Sequence, residues 1–170
     1  MQELPILYIV YNLESISPGM SRPGVKAPGG KGGDLVSAGE NKNLLMRYIE
    51  AVWEQRNPQA ARDYLAPDYQ RHVSPTSEPL TRDEQVQRLV GFRAAFPDIQ
   101  ITVEEVVAEG SWISFRSRMR GTHLGDFFGR PPTGKRVEVI LVDMIRFEDG
   151  QFIEHWGGPD LFDLFRQLDA

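Results

Sequence analysis

The chain contains no cysteine. That excludes a disulfide framework, a thiol nucleophile and thiolate metal sites, and it is the usage expected of a reducing, cytoplasmic setting. It also lacks any excess of positive charge: 19 lysines and arginines stand against 24 acidic residues, giving a net charge of −5. Nucleic-acid and anionic-membrane binders usually carry a basic patch, so neither is an expected partner. No apolar run approaches the roughly 20 residues that span a bilayer. The run Leu4 to Tyr11 is too short, and no lysine or arginine precedes it as a secretory signal would require. There is no G-x-S-x-G elbow for a serine nucleophile. The three histidines fall in separate segments with no helical i,i+4 pair, so no metal site is expected.

What is present suits one domain with a full core: 170 residues, 41% apolar and 25% charged. Residues 1–40 differ from the rest. A Pro-Gly step recurs at Pro18-Gly19, Pro23-Gly24 and Pro28-Gly29, followed by a glycine cluster around Lys31. This composition buries too little apolar surface to offset the entropy of ordering, so it reads as a flexible arm before a domain at 41–170. The cluster imitates a phosphate-binding loop, but Val25 stands where the first glycine belongs and Gly32 where a serine or threonine belongs. No nucleotide cofactor is expected from it. Met20 stands as an alternative start.

From Glu40 the pattern becomes regular. Leu44, Leu45, Tyr48, Ile49, Val52 and Trp53 recur at helical spacing. Asn57-Pro58 reads as a cap and first turn of a second helix reaching about Leu65. Pro67 ends it, and Tyr69 to Val73 reads as a short strand. Thr81 and Glu84 form a capping box opening a third helix that closes at Phe96-Pro97-Asp98. Alternating strands follow at Ile99–Glu109 and Trp112–His123, then a hairpin from Gly134 to Trp156 turning at Glu148-Asp149-Gly150. Gly158-Pro159 starts a last helix, Asp160 to Leu168. Helices first and antiparallel strands after them indicate an α+β fold, a curved sheet wrapped around helices.

The hairpin carries the chemistry. Val137, Val139, Leu141, Ile145 and Phe147 share one face of its first strand, and the remaining member of that row is Asp143. A carboxylate on an apolar face is costly to bury as the anion, so its pKa should rise and make it a general acid/base near neutrality. The alternative is that Asp143 pairs with an arginine such as Arg116 or Arg118, or lies at an exposed edge. Arg116, Arg118 and Arg120 alternate along one strand, opposite Glu104 or Glu138, as a solvated or oligomer-facing surface does. His123 shares the parity of Ile113, Phe115 and Met119; His155 shares that of Ile153; His72 ends the early strand. Each histidine is either a pocket group or a hydrogen-bonded core residue. A single acid/base among histidine, tyrosine and tryptophan suits proton transfer beside a carbonyl, without a metal.

Several segments carry a resemblance: AFPD, the run GTHLGDFFGRPPTGK, LVDMIRFEDGQFIEHW and LFRQLDA. Over about residues 41 to 170 the chain resembles the SnoaL-like polyketide cyclases, within the broader nuclear transport factor 2 fold group. The resemblance implies an α+β cone around a deep apolar pocket. It implies ring closure by intramolecular aldol condensation of a small apolar carbonyl substrate, without cofactor. Asp143 matches the position of the family's acid/base aspartate, and Tyr48 is the counterpart of a tyrosine on the first helix. With His123 or His155 as oxyanion donors, the pocket wall is expected from His72, Phe115, Met119, Phe128, Leu141 and Ile145. Homo-oligomers, dimers or tetramers, are implied as well. A non-catalytic ligand-binding module, or an isomerase or hydrolase of the same fold, remains the alternative.

Overall fold

The computed structural model describes residues 38–74 and 76–170. The expected flexible arm and the glycine cluster therefore lie almost wholly outside the described residues. Helix α1 (Ala38–Ile49) continues into a π-helical turn, Glu50–Glu54. After a 3-10 helix, Pro58–Asp63, come β1 (Leu65–His72) and α2 (Arg82–Ala95). Strands β2 (Gln100–Glu109), β3 (Trp112–Thr122), β4 (Arg136–Glu148) and β5 (Gln151–Pro159) follow, and α3 (Leu161–Asp169) ends the chain. The strands form one curved sheet in the order β1-β5-β4-β3-β2. Strand β1 pairs with β5 in parallel, and every other pairing is antiparallel.

Helical spacing places Leu45, Tyr48, Ile49 and Val52 on one face of the first helix, and all four are buried. They pack with Val86, Leu89 and Phe92 of α2 against the inner sheet face, where Ile113, Met119, Val139, Ile145 and Phe152 are buried. Helix α2 begins with the expected capping box: Glu84 N–H donates to Thr81 Oγ1, and Thr81 N–H to Glu84 Oε2 at 2.8 Å. The β4–β5 turn places Asp149 and Gly150 at φ 47° and 73°, the left-handed pair that a tight two-residue hairpin requires. No helix among the described residues is long and apolar enough to cross a membrane.

Four local expectations are corrected. Asn57 makes no side-chain cap, and the second helix is 3-10 rather than α. Pro67 does not precede a strand but lies inside one. Strand β1 is the sheet edge and its register is broken between Leu65 and Gln70, where a missing N–H costs least. Gly158 and Pro159 belong to β5, and Asp160 caps α3 by accepting from Asp163 N–H at 2.9 Å. Finally, a bulge shifts the β4–β5 register between Arg146–Glu154 and Phe147–Phe152. It turns Phe152, rather than Ile153, to the same buried side as His155.

The outer sheet face carries a ladder of ion pairs. Glu104 holds Arg116 and Arg118, and Glu138 holds Arg118 and Arg120. Glu105 also holds Arg116, at 3.3 Å, so three carboxylates pair the three arginines within the chain.

Candidate active site

Asp143 projects inward from β4 between two cross-strand neighbours, Phe115 on β3 and Gly157 on β5. Only glycine fits at 157. Its φ is +94°, and a β-carbon there would stand 2.0 Å from the Val142 carbonyl oxygen. The next residue, Gly158, leaves room for an arginine from β1, since a β-carbon there would stand 2.9 Å from Arg71 Nη2. Arg71, the register partner of His155, donates through Nη2 to the Gly157 carbonyl at 2.7 Å and through Nη1 to Asp143 Oδ1 at 3.4 Å.

His155 completes the cluster. Its Nε2 lies 2.8 Å from Asp143 Oδ1 and its Nδ1 3.0 Å from the Tyr69 hydroxyl. A carboxylate can only accept, so Nε2 carries the proton and Nδ1 accepts from Tyr69. All four groups are nearly enclosed: Tyr69 is 2% exposed, Arg71 1%, Asp143 5% and His155 8%.

The electrostatics differ from the expectation of a neutral acid. Burial raises the Asp143 pKa, but the hydrogen bond from His155 and the charge of Arg71 outweigh it, leaving the carboxyl below its ordinary value. Asp143 is an anion at neutral pH, and its partner is Arg71 rather than Arg116 or Arg118. Burial and the Arg71 charge push His155 down to about 4 against the opposing pull of Asp143, so its ring is neutral. Burial raises Tyr69 and Tyr48, which stay protonated. The site holds an anionic base whose conjugate acid is strong. It can take a proton from an acidic C–H and return it readily to an alkoxide.

The other expected residues divide into groups. Tyr48 is buried against Tyr64 and Phe152 and feels the charges of Arg71 and Asp143. Phe115, Met119 and Ile145 are buried on the inner face, and Leu141 is half-buried. Two histidines stand apart from the cluster. His123 is fully buried beside Phe96, its Nδ1 accepting from Thr133 N–H at 3.3 Å, eight residues along from Phe115. That is a loop-fastening position with no bond to Asp143. His72, next to Arg71, points to the opposite face by strand alternation and stacks on Trp156 at 3.8 Å. Phe128 is exposed at the rim of a cleft of about 530 Å³, with Arg88, Phe92, Phe127 and Leu161 in its wall.

Sequence reasoning missed Tyr69, Arg71 and Arg88. For the first two the signal existed, because residues 69 and 71 share a face of the expected early strand. Arg88 links cleft and cluster. Its Nη2 is 4.0 Å, and that of Arg71 2.9 Å, from the point a β-carbon would occupy at Gly158.

Comparisons agree on a family. The profile of the SnoaL-like polyketide cyclase family matches residues 43–168. The nogalonic acid methyl ester cyclase of Streptomyces nogalater is 32% identical over 109 residues, covering 62% of this chain and 81% of that protein. An aklanonic acid methyl ester cyclase of Streptomyces peucetius is 28% identical over 132 residues, 74% of this chain and 88% of that one. Among solved structures, AclR of Streptomyces galilaeus, a candidate hydroxylase, aligns with a TM-score of 0.71 at 31% identity, covering 78% of this chain and 83% of that one. TsrD of Streptomyces laurentii aligns with a TM-score of 0.69 at 29% identity, covering 79% and 98%.

Proposed function

The chain belongs to the SnoaL-like polyketide cyclase family, and from that premise we propose that it closes a ring in a polyketide-like ester by intramolecular aldol chemistry, with Asp143 as the acid/base. The observation that carries this reading is the anionic carboxylate of Asp143 on the apolar sheet face, held by the neutral ring of His155 at 2.8 Å. Asp143 takes a proton from the carbon between two carbonyls, and the C–H electron pair becomes the enolate. The enolate carbon attacks an internal carbonyl carbon, forming the C–C bond, and the carbonyl oxygen becomes an alkoxide. The Asp143 carboxyl returns its proton to that oxygen. Low basicity suits this role only for an acidic C–H, which a 1,3-dicarbonyl supplies. The scheme uses no cofactor, and orientation within the site supplies much of the rate.

Asp143 is nearly enclosed, and Arg88, which lines the cleft and stands beside Gly158, marks the path from cleft to carboxylate in this scheme. His123 and His72 have no part in this scheme. A second reading, a different reaction on the same fold, is favoured by the likeness to a candidate hydroxylase. Incubation with a panel of polyketide methyl esters and simple β-keto esters, followed by mass spectrometry, separates the two. An isomeric cyclised product, unchanged in mass after loss of no group, supports ring closure; a product heavier by one oxygen supports the second reading. Association with further copies belongs to the same proposal: Val142, Met144 and Trp156 expose apolar surface on the outer sheet face. Light scattering tests it. A cytoplasmic setting fits the cysteine-free composition.

A further inference from the structure

Charge around Asp143 does not balance. Two guanidinium groups, Arg71 and Arg88, face one carboxylate, while His155, Tyr48 and Tyr69 are uncharged. Arg71 spends its Nη groups on Asp143 and the Gly157 carbonyl. Arg88 makes no hydrogen bond or ion pair among the described residues; its guanidinium lies over the Phe92 ring, 4.9 Å from the centroid. Burial and the charge of Arg71 push its pKa down to about 10, which still leaves it cationic. A half-buried arginine with no ion pair of its own gives up hydration for little besides the Phe92 ring and a share of the Asp143 charge.

The space in front of it is apolar. Val73, Leu80, Phe92, Phe127, Phe128 and Leu161 line the cleft, whose volume of about 530 Å³ suits a small organic molecule. Its one carboxylate, Asp126, is turned to its own loop, accepting from Gly129 N–H at 3.1 Å. Helix α2 presents Arg88, Gly91 and Phe92 on one side. A β-carbon at Gly91 would meet nothing within 4 Å, so this stretch of the wall is open.

We propose that this cleft binds a flat apolar molecule carrying one anionic oxygen, with the Arg88 guanidinium as its counter-ion and Phe92, Phe127 and Phe128 against its ring faces. The planar guanidinium accepts such an oxygen with charge-assisted hydrogen bonds, and the aromatic edges and faces hold the rings. The proposal deepens the ring-closure reading and rests on it for the cleft being the substrate's entrance. Arg88 then selects substrates that are already ionised at an oxygen conjugated to the ring system.

Calorimetric titration of the full chain with 2-naphthoate and with 2-naphthamide, equal in shape and different in charge, tests it. Wild type is expected to prefer the naphthoate by roughly tenfold or more. Arg88→Gln is expected to remove that preference while keeping the affinity for the amide, and Arg88→Lys to retain part of it. Gly91→Leu, which fills the open wall, is expected to weaken both. A preference that survives in Arg88→Gln, or a folded wild type that binds neither probe or binds both equally, overturns the proposal. Because no turnover is involved, failure of ring closure is separate: a naphthoate preference lost in Arg88→Gln, with no ester cyclised, keeps the site and removes the chemistry.

Discussion

His155 Nε2 donates to Asp143 at 2.8 Å while its Nδ1 accepts from Tyr69 at 3.0 Å, so one neutral ring joins a buried phenol to a buried carboxylate. The consequence is directional. The ring is fixed in one tautomer, and Asp143 keeps a hydrogen-bond partner without being neutralised by a proton.

Stability should fall as pH drops from about 6.5 to 4. His155 has a folded pKa of about 4 against 6.5 for the free side chain, so the unfolded chain binds more protons across that window. The loss amounts to about 3 kcal/mol. The depressed pKa of Asp143 extends the decline as pH falls below the ordinary carboxylate range. Urea unfolding at pH 7 and pH 4.5 measures it, and His155→Gln should flatten the dependence above pH 4.

Tyr69→Phe removes the donor to His155 Nδ1 and leaves a buried acceptor unpaired. A cost of about 1–2 kcal/mol is expected. Turnover should fall as well, because the ring loses one of the two bonds that orient it against Asp143. A shifted pH–rate profile, beside a near-normal fold by circular dichroism, separates that effect from simple loosening.

The inward parity of Asp143 was legible in the sequence, since Val137, Val139, Ile145 and Phe147 fix the buried face of β4. What was not legible is the partner. Period two places Tyr69 and Arg71 on one face of β1, but nothing in the sequence says that β1 lies parallel to β5, eighty-odd residues away, with Arg71 opposite His155. Without that pairing a lone aspartate reads as a raised pKa; with it, the pKa falls. The bulge at Ile153 was hidden for a similar reason, because strict alternation assumes an unbroken register. His123 shows the opposite limit. Its inward parity was right, yet parity does not say how far along the strand a site lies.

Two glycines should behave in opposite ways. Gly157→Ala forces a β-carbon to within 2.0 Å of the Val142 carbonyl oxygen at a positive φ, beside Asp143. A loss of about 3 kcal/mol or more is expected, together with activity. Gly91→Ala, in a helix with open space, should gain roughly 0.5–1 kcal/mol. Paired urea midpoints check both.

The ion pairs are not equivalent. Arg118→Ala breaks two contacts of the outer ladder, with Glu104 and Glu138, yet its unfolding midpoint should barely move because both are solvated. Arg71→Met leaves Asp143 buried without its arginine and should cost about 3–5 kcal/mol. Comparing the two midpoints at low and high salt tests the distinction.

The most direct test of Asp143 as the base follows the proton itself. Proton NMR of a β-keto methyl ester taken up by the wild type, in D2O at neutral pD, reads exchange of the hydrogen on the carbon between the carbonyls. The wild type should accelerate that exchange over buffer, and folded Asp143→Asn should not. Equal exchange with both proteins would contradict the assignment of Asp143.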